Sequence, residues 1–300
     1  MESGKLLLFT ASVVGILATG CSRQPARLEL PVEITAHRGA SGLYPENTLI
    51  AINAAIRRGA QYAEIDVQET ADGVVVLLHD ITLERTTDLT GSIGDVTYSQ
   101  VQSADAGSWF AAEYQNEPIP TLAQVMDAVR GKIRLNIEIK MDEQQNTLPE
   151  KVVNLINEHD FREHCIVTSF DRDAIRRVKT LQPAITTGYI FSELPEEDVF
   201  TGECELLSVH YQVVTPDFVA RARQSNKAIH AWTVNNLGET HRLIELGVDN
   251  IITNYPRYLL QFIQEPLFVD EGLAAYSGGD YLTRPTSRVY RISYRYFIPG

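Results

Sequence analysis

Cysteine is scarce in this chain: three in 300 residues allow at most one intramolecular bridge, which excludes a disulfide scaffold as the source of the fold. Basic residues are outnumbered, with 26 Lys and Arg against 39 Asp and Glu and a formal net charge of -13. Nonspecific grip on nucleic acid, or on an anionic membrane surface, rests on Lys and Arg, and no basic block offsets the deficit, so no nucleic-acid partner is expected. Long apolar runs are missing as well. The longest, residues 6–17, falls short of the roughly 20 residues that cross a bilayer. No G-x-G-x-x-G turn is present to mark a dinucleotide site. What remains, 44% hydrophobic and 22% charged, is the composition of a globular protein with a substantial core.

The first twenty residues differ from the rest. A short start carrying Lys5 leads into the apolar stretch, and Ala18-Thr19-Gly20-Cys21 follows, small residues before a cysteine. The pattern resembles the lipobox of bacterial lipoproteins, in which the cysteine becomes the lipidated first residue of the mature chain. It predicts a lipoprotein signal peptide over 1–20, lipid on Cys21 as a membrane anchor, a tether over 21–31, and a place in the bacterial cell envelope facing the periplasm or exterior. The alternative is a cleaved signal peptide with an incidental cysteine. The other two cysteines, Cys165 and Cys204, sit in or beside apolar runs and read as buried small hydrophobes.

From residue 34 onward short apolar runs alternate with helix-like periods. Strand candidates fall at 34–37, 63–68, 74–79, 134–140, 165–170, 187–191, 206–210, 229–234 and 250–253. Helical patterns fall at 47–58, 122–129, 149–158, 172–181, 216–225 and 237–246. Such alternation implies a mainly parallel sheet covered by helices. The length over 32–264 suits one (β/α)8 TIM barrel. Nine candidates exceed eight, and the short Ala71-Asp72-Gly73 turn suits a hairpin better than a crossover, so the barrel is expected to be irregular near its start. A doubly wound open sheet is the alternative. Residues 81–120, rich in Thr, Gly, Asp and Ser, read as an insertion on the loop after the third strand, at the catalytic face. Residues 265–300 form a C-terminal extension to which the sequence assigns no role.

The polar residues inside strand patterns carry the chemistry. Side chains two apart on a strand share a face, about 6.6 Å apart, so Glu64 and Asp66 converge while Ile65 and Val67 cover the other side. In 136–140 the same logic sets Asn136, Glu138 and Lys140 opposite Ile137 and Ile139. Three carboxylates converging on one point repel unless a cation lies between them, and all-oxygen ligation suits Ca²⁺ or Mg²⁺ better than Zn²⁺. The competing reading is buried ion pairs with Arg38 and Lys140, a poor match of three acids to two bases. His37 and His79 close the first and third strand candidates, an arrangement open to a general acid and a general base. Arg38 supplies a planar donor fork for phosphate oxygens. On an extended strand His37 and Arg38 face opposite ways, so Gly39 must reorient one of them.

At these residues the chain resembles the glycerophosphodiester phosphodiesterase family. The resemblance is carried by His37-Arg38-Gly39, Pro45-Glu46-Asn47-Thr48, Glu64-Ile65-Asp66-Val67, Leu78-His79-Asp80 and Arg85-Thr86-Thr87. It continues through Ile119-Pro120-Thr121-Leu122, Asn136-Ile137-Glu138-Ile139-Lys140 and Trp232-Thr233-Val234-Asn235, in order over about 34–260. The resemblance implies a barrel whose characteristic insertion is 81–120. It implies one divalent cation, Ca²⁺ or Mg²⁺, on Glu64, Asp66 and Glu138, acid and base roles for His37 and His79, phosphate contacts from Arg38 and Lys140, and Trp232 against the glycerol or alcohol group. The implied reaction is hydrolysis of a small glycerophosphodiester to sn-glycerol 3-phosphate and an alcohol, by attack of water or of the substrate's own neighbouring hydroxyl. Alternatives are a related barrel acting on lysophospholipid or sphingomyelin, and a surface lipoprotein with a binding role. One departure stands out: the family usually carries aspartate where this chain has Asn254.

Overall fold

Runs of β-branched and apolar residues form nine strands in the computed structural model, which describes residues 31–264. They are β1 (Glu33–Ala36), β2 (Tyr62–Glu69), β3 (Val75–Leu77), β4 (Arg134–Ile139), β5 (Cys165–Ser169), β6 (Thr186–Phe191), β7 (Leu206–His210), β8 (Ala228–Trp232) and β9 (Asn250–Thr253). Eight of them pair in parallel in the order β1-β9-β8-β7-β6-β5-β4-β2, and β1 returns to β2. That last pairing closes the barrel and rules out the open doubly wound sheet. β3 is the expected irregularity. It pairs antiparallel with β2, Val67 opposite Leu77 and Glu69 opposite Val75, across a turn where Gly73 takes φ 81°.

The helices are α1 (Leu49–Arg58), α2 (Tyr98–Val101), α3 (Leu122–Val129), α4 (Leu148–Glu158), α5 (Arg172–Leu181), α6 (Pro216–Gln224), α7 (Leu237–Leu246) and α8 (Pro256–Gln264). Side-chain caps fix several starts: the oxygens of Thr48, Thr121, Asp171, Thr215 and Asn236 accept first-turn N–H groups that have no helical partner. The apolar core lies between barrel and helices. On one side Ile65, Val67, Leu135 and Ile137 meet Ile52, Met126, Val152 and Ile156; on the other Leu207, Val209, Ile229 and Ile251 meet Phe218, Leu243 and Leu259. Alternation along each strand therefore turns Thr35, Glu64, Asp66, Asn136, Thr168, Ser208, His230 and Asn250 into the barrel, all buried.

Some details depart from the sequence reading. The third strand ends at Leu77, which leaves His79 in the loop beyond it. Helix α8 follows the last strand, beyond the helical patterns read from the sequence, whereas the stretch between β6 and β7 carries no helix, in keeping with those patterns. Residues 81–120 build a small core of their own, with Leu83, Ile93, Val101 and Ile119 packed on Val76 and Leu78. Cys165 and Cys204 are buried and unpaired. Among the described residues no helix is long and apolar enough to cross a membrane. The signal peptide (1–20), Cys21, the tether (21–31) apart from its last residue, and the extension (265–300) lie outside the described residues.

Candidate active site

The end of β1 resolves the conflict between His37 and Arg38. The strand stops at Ala36, and Arg38 and Gly39 take φ 51° and 79°, so the chain turns and both His37 and Arg38 line one pocket. Gly39 is required there twice over: its φ is left-handed, and a Cβ would meet the backbone and Cβ of Ala51 at 2.7 Å. The Arg38 backbone N–H donates to Glu64 Oε2 at 2.7 Å, so the turn also fixes one of the carboxylates.

Glu64, Asp66 and Glu138 are buried and bring one oxygen each within 4.8 Å of one another. Asn47, itself at φ 57°, holds Asp66 from two sides. Its Nδ2 donates to Asp66 Oδ2 at 2.8 Å, and the Asp66 backbone N–H donates to Asn47 Oδ1 at 3.1 Å. Lys140 Nζ donates to Glu138 Oε1 at 2.5 Å and stands 3.2 Å from Asp66 Oδ1, while Arg38 Nε lies 3.4 Å from Asp66 Oδ2. The cations thus serve Asp66 and Glu138. Glu64 has no Lys or Arg ion pair among the described residues, only His37 Nε2 at 3.9 Å.

The electrostatics follow from that distribution. Burial tends to raise the Asp66 carboxyl, but Lys140 and Arg38 outweigh it and hold Asp66 well below the usual carboxylate range. Burial and then the Asp66 charge push Glu138 up to about 7, with Lys140 opposing. Burial, Asp66 and Glu138 together push Glu64 well above its ordinary value. Glu64 Oε1 and Asp66 Oδ1 are buried without a hydrogen-bond partner. A cluster one positive charge short, with orphaned oxygens in an all-oxygen donor set, fits a hard divalent cation such as Ca²⁺ or Mg²⁺.

Each histidine is oriented through Nδ1. His37 Nδ1 lies 2.7 Å from Asn254 Oδ1, which also accepts from Ser41 Oγ at 3.1 Å. A carbonyl oxygen only accepts, so Nδ1 carries the hydrogen and Nε2 presents its lone pair. Burial, and after it Arg38, lowers the His37 pKa to about 4. His79 Nδ1 pairs with Asp80 Oδ1 at 2.7 Å. Although His79 lies outside the strand, Gln68 on β2 fixes its loop by donating to the carbonyls of Leu78 and Asp80. Asp80 accepts from Arg85 Nε at 2.5 Å, Arg85 also donates to Glu46, and Glu46 accepts from Arg38 Nη1 at 2.8 Å. One chain of charged hydrogen bonds therefore links His79 to Arg38.

The pocket is a cavity of about 120 Å³. Of the catalytic, phosphate-binding and metal residues assigned from sequence, all but Asp66 line it, and Asp66 lies buried beneath Arg38 and Lys140. Trp232 forms the opposite wall, edge-on to Phe170 at 5.8 Å and to His210 at 5.5 Å. The sequence reading assigned no role to Glu46, Asn47, Asp80, Arg85, Phe170, Ser208 or Asn254. Glu46, Asn47, Asp80 and Arg85 fall inside the motifs quoted above, but their partners are set by folds of the chain that spacing does not reveal.

Fold and rim together define an α/β-barrel enzyme with an acidic cation cradle beside a basic anion site. The family model described as glycerophosphoryl diester phosphodiesterase family matches residues 37–258. The chain belongs to that family and is a phosphodiesterase of its class. It is 35% identical over 234 residues to the Bacillus subtilis protein YhdW, covering 76% of this chain and 96% of that one. It is 34% identical over 237 residues to a glycerophosphodiester phosphodiesterase of Caldanaerobacter subterraneus, covering 77% and 98%. Its structure resembles that of an Oleispira antarctica phosphodiesterase solved in complex with the product sn-glycerol-3-phosphate, with a TM-score of 0.71, 32% identity, and coverage of 78% of this chain and 97% of that chain.

Proposed function

We propose that the protein hydrolyses soluble glycerophosphodiesters to sn-glycerol 3-phosphate and an alcohol, with one divalent cation, Ca²⁺ or Mg²⁺, on Glu64, Asp66 and Glu138. The observation that carries this is the cluster of three buried carboxylates with two oxygens that accept no hydrogen bond, set against two histidines and two cationic side chains in one pocket. The cation, when bound, supplies Lewis-acid neutralisation of the phosphate. Arg38 has its Nη1 on Glu46 and its Nε against Asp66, which leaves Nη2 for a phosphate oxygen. Lys140, held between Glu138 and Asp66, presents its charge to the same group.

With a pKa of about 4, His37 is neutral at working pH and Nε2 takes the proton of the attacking hydroxyl, whether from water or from the substrate's neighbouring carbon. The proton donated to the departing alcohol then falls to His79, fixed through Nδ1 by Asp80. A cavity of about 120 Å³ is of a size to take a small polyol. The test is release of sn-glycerol 3-phosphate from glycerophosphocholine by the purified protein. Activity is expected to vanish in EDTA and return with Ca²⁺ or Mg²⁺, and product formation indifferent to chelation refutes the cation assignment.

We also infer, from residues 6–21 of the sequence, that the enzyme is lipid-anchored through Cys21 in the bacterial cell envelope. Cys21→Ser is expected to move the protein from the membrane to the soluble fraction; an unchanged distribution refutes the anchor.

A further inference from the structure

Residues 81–120 pack around a small core of their own, and one side chain ties that insertion to the catalytic groups. Arg85 uses both edges of its guanidinium. Nε and Nη2 donate to Asp80 Oδ2 and Oδ1 at 2.5 and 3.1 Å, and Nη1 and Nη2 donate to Glu46 Oε2 and Oε1 at 3.0 and 2.8 Å. Two parallel bonds to each carboxylate set direction as well as distance. The backbone beneath is closed and fixed. Leu83 is fully buried, its N–H donates to the Gly91 carbonyl at 3.0 Å, and its own carbonyl accepts from Thr87 N–H and Oγ1 at 3.0 and 2.8 Å. The two carboxylates differ in what else holds them. Glu46 also accepts from Arg38 Nη1, and Arg38 keeps Asp66 as well. The Asp80 carboxylate has no donor besides Arg85 and His79 Nδ1 among the described residues. The bonds from Arg85 keep the Asp80 pKa down at about 2, so it accepts throughout the working range and His79 Nδ1 carries a hydrogen.

We propose that Arg85 is a positioning residue for proton transfer: through Asp80 it aims His79 at the oxygen of the departing alcohol, and by this contact the insertion acts on the chemistry. The inference rests on the phosphodiesterase reading with His79 as proton donor, and it adds a residue that does not line the pocket. As the P–O bond to the alcohol breaks, His79 Nε2 gives its proton to that oxygen, which departs neutral. A ring swung off line loses the transfer even though the imidazole is present. Without Arg85 the Asp80 carboxylate is free to turn away from His79, while Arg38 retains both of its own carboxylates. The loss therefore falls on protonation of the leaving group and spares the phosphate contact. Its size depends on the alcohol: the alkoxide of choline is a strong base that needs the proton, whereas p-nitrophenolate departs as an anion without it.

The test measures kcat and KM of the cation-loaded enzyme on two diesters of glycerol 3-phosphate, one with choline and one with p-nitrophenol. Arg85→Met keeps most of the side-chain length and loses every donor. It is expected to lower kcat on the choline diester at least about tenfold and to leave kcat on the p-nitrophenyl diester within about twofold, with KM for both little changed. His79→Ala should show the same selectivity between the diesters with a larger loss. In that background Arg85→Met should cost little more, because residues that act through one group are not additive. Arg85→Lys keeps the charge without the double fork and should recover only part of the rate. An equal effect of Arg85→Met on both diesters, a full further loss in the His79→Ala background, or complete recovery with lysine overturns the positioning role and leaves the phosphodiesterase reading standing. A His79→Ala enzyme that does not distinguish the diesters overturns the proton-donor assignment and the positioning role with it. Hydrolysis of neither diester by the wild type overturns the phosphodiesterase reading itself.

Discussion

Replacing Glu138 by glutamine should make the cation-free protein more stable while removing its response to metal. In the folded state burial and the neighbouring Asp66 charge hold the Glu138 carboxyl at about 7 rather than its ordinary 4.5. At one pH unit per 1.36 kcal/mol, that displacement corresponds to about 3 kcal/mol. The folded pKa lies above the unfolded one, so between these values the native state binds more protons than the unfolded chain. The carboxyl's contribution is therefore whole below 4.5, declines as pH rises to 7, and is level beyond. In EDTA at pH 8, Glu138→Gln should exceed the wild type by up to about 3 kcal/mol, less whatever Lys140 loses when its partner at 2.5 Å becomes neutral. At pH 4.5 the two proteins should match. Saturating Ca²⁺ or Mg²⁺ at about 100 times Kd should return about 2.7 kcal/mol to the wild type and little to the variant. Denaturant melts of both proteins at the two pH values, with and without cation, give all the differences, and the comparison cancels the titrating groups that lie away from Glu138. A stability gap independent of pH, or an equal response to cation, refutes the claim that Glu138 is held in place for an ion at the expense of the metal-free fold.

Other expectations follow from the same geometry. His37→Ala and His79→Ala should each lower kcat by at least about 10²-fold with an unchanged far-UV circular dichroism spectrum; near-normal turnover in either rejects its proton-transfer role. Asn254→Asp places a carboxylate against His37 Nδ1, now 2.7 Å from a neutral oxygen. It favours the imidazolium and should move the acidic limb of the kcat/KM profile up by at least about one pH unit, and a stationary limb shows that His37 is not the titrating base. Asn47→Ala removes both bonds to Asp66 at a residue with φ 57°. Thermal denaturation should register a loss of about 3 kcal/mol, and an effect under about 0.5 kcal/mol, typical of an ordinary surface change, contradicts the structural role given to Asn47.

Much of the molecule was legible in the linear pattern because its signals are local. The strand period of two put Glu64 with Asp66, and Asn136 with Glu138 and Lys140, on inward faces, and the alternation of runs put helices between strands. Helix starts were readable where a capping residue stood next to an apolar period, as at Thr121 and Asp171. His79 was found as a residue but misplaced as structure, since β3 closes at Leu77 and the loop beyond is fixed by Gln68, ten or more positions away.

Charges, periodicity and short motifs are properties of neighbours along the chain, so the sequence by itself determined the barrel, the inward carboxylates and both histidines. Whether those carboxylates met an ion or a base depended on contacts between segments far apart. Only the folded chain decided that Arg38 and Lys140 serve Asp66 and Glu138 while Glu64 keeps an oxygen unpartnered. It likewise decided that Asn254 stands behind His37 from 217 positions away. Hydrogen-bond partnership is set by distance and angle in three dimensions, and a strand pattern supplies only the side to which a residue points.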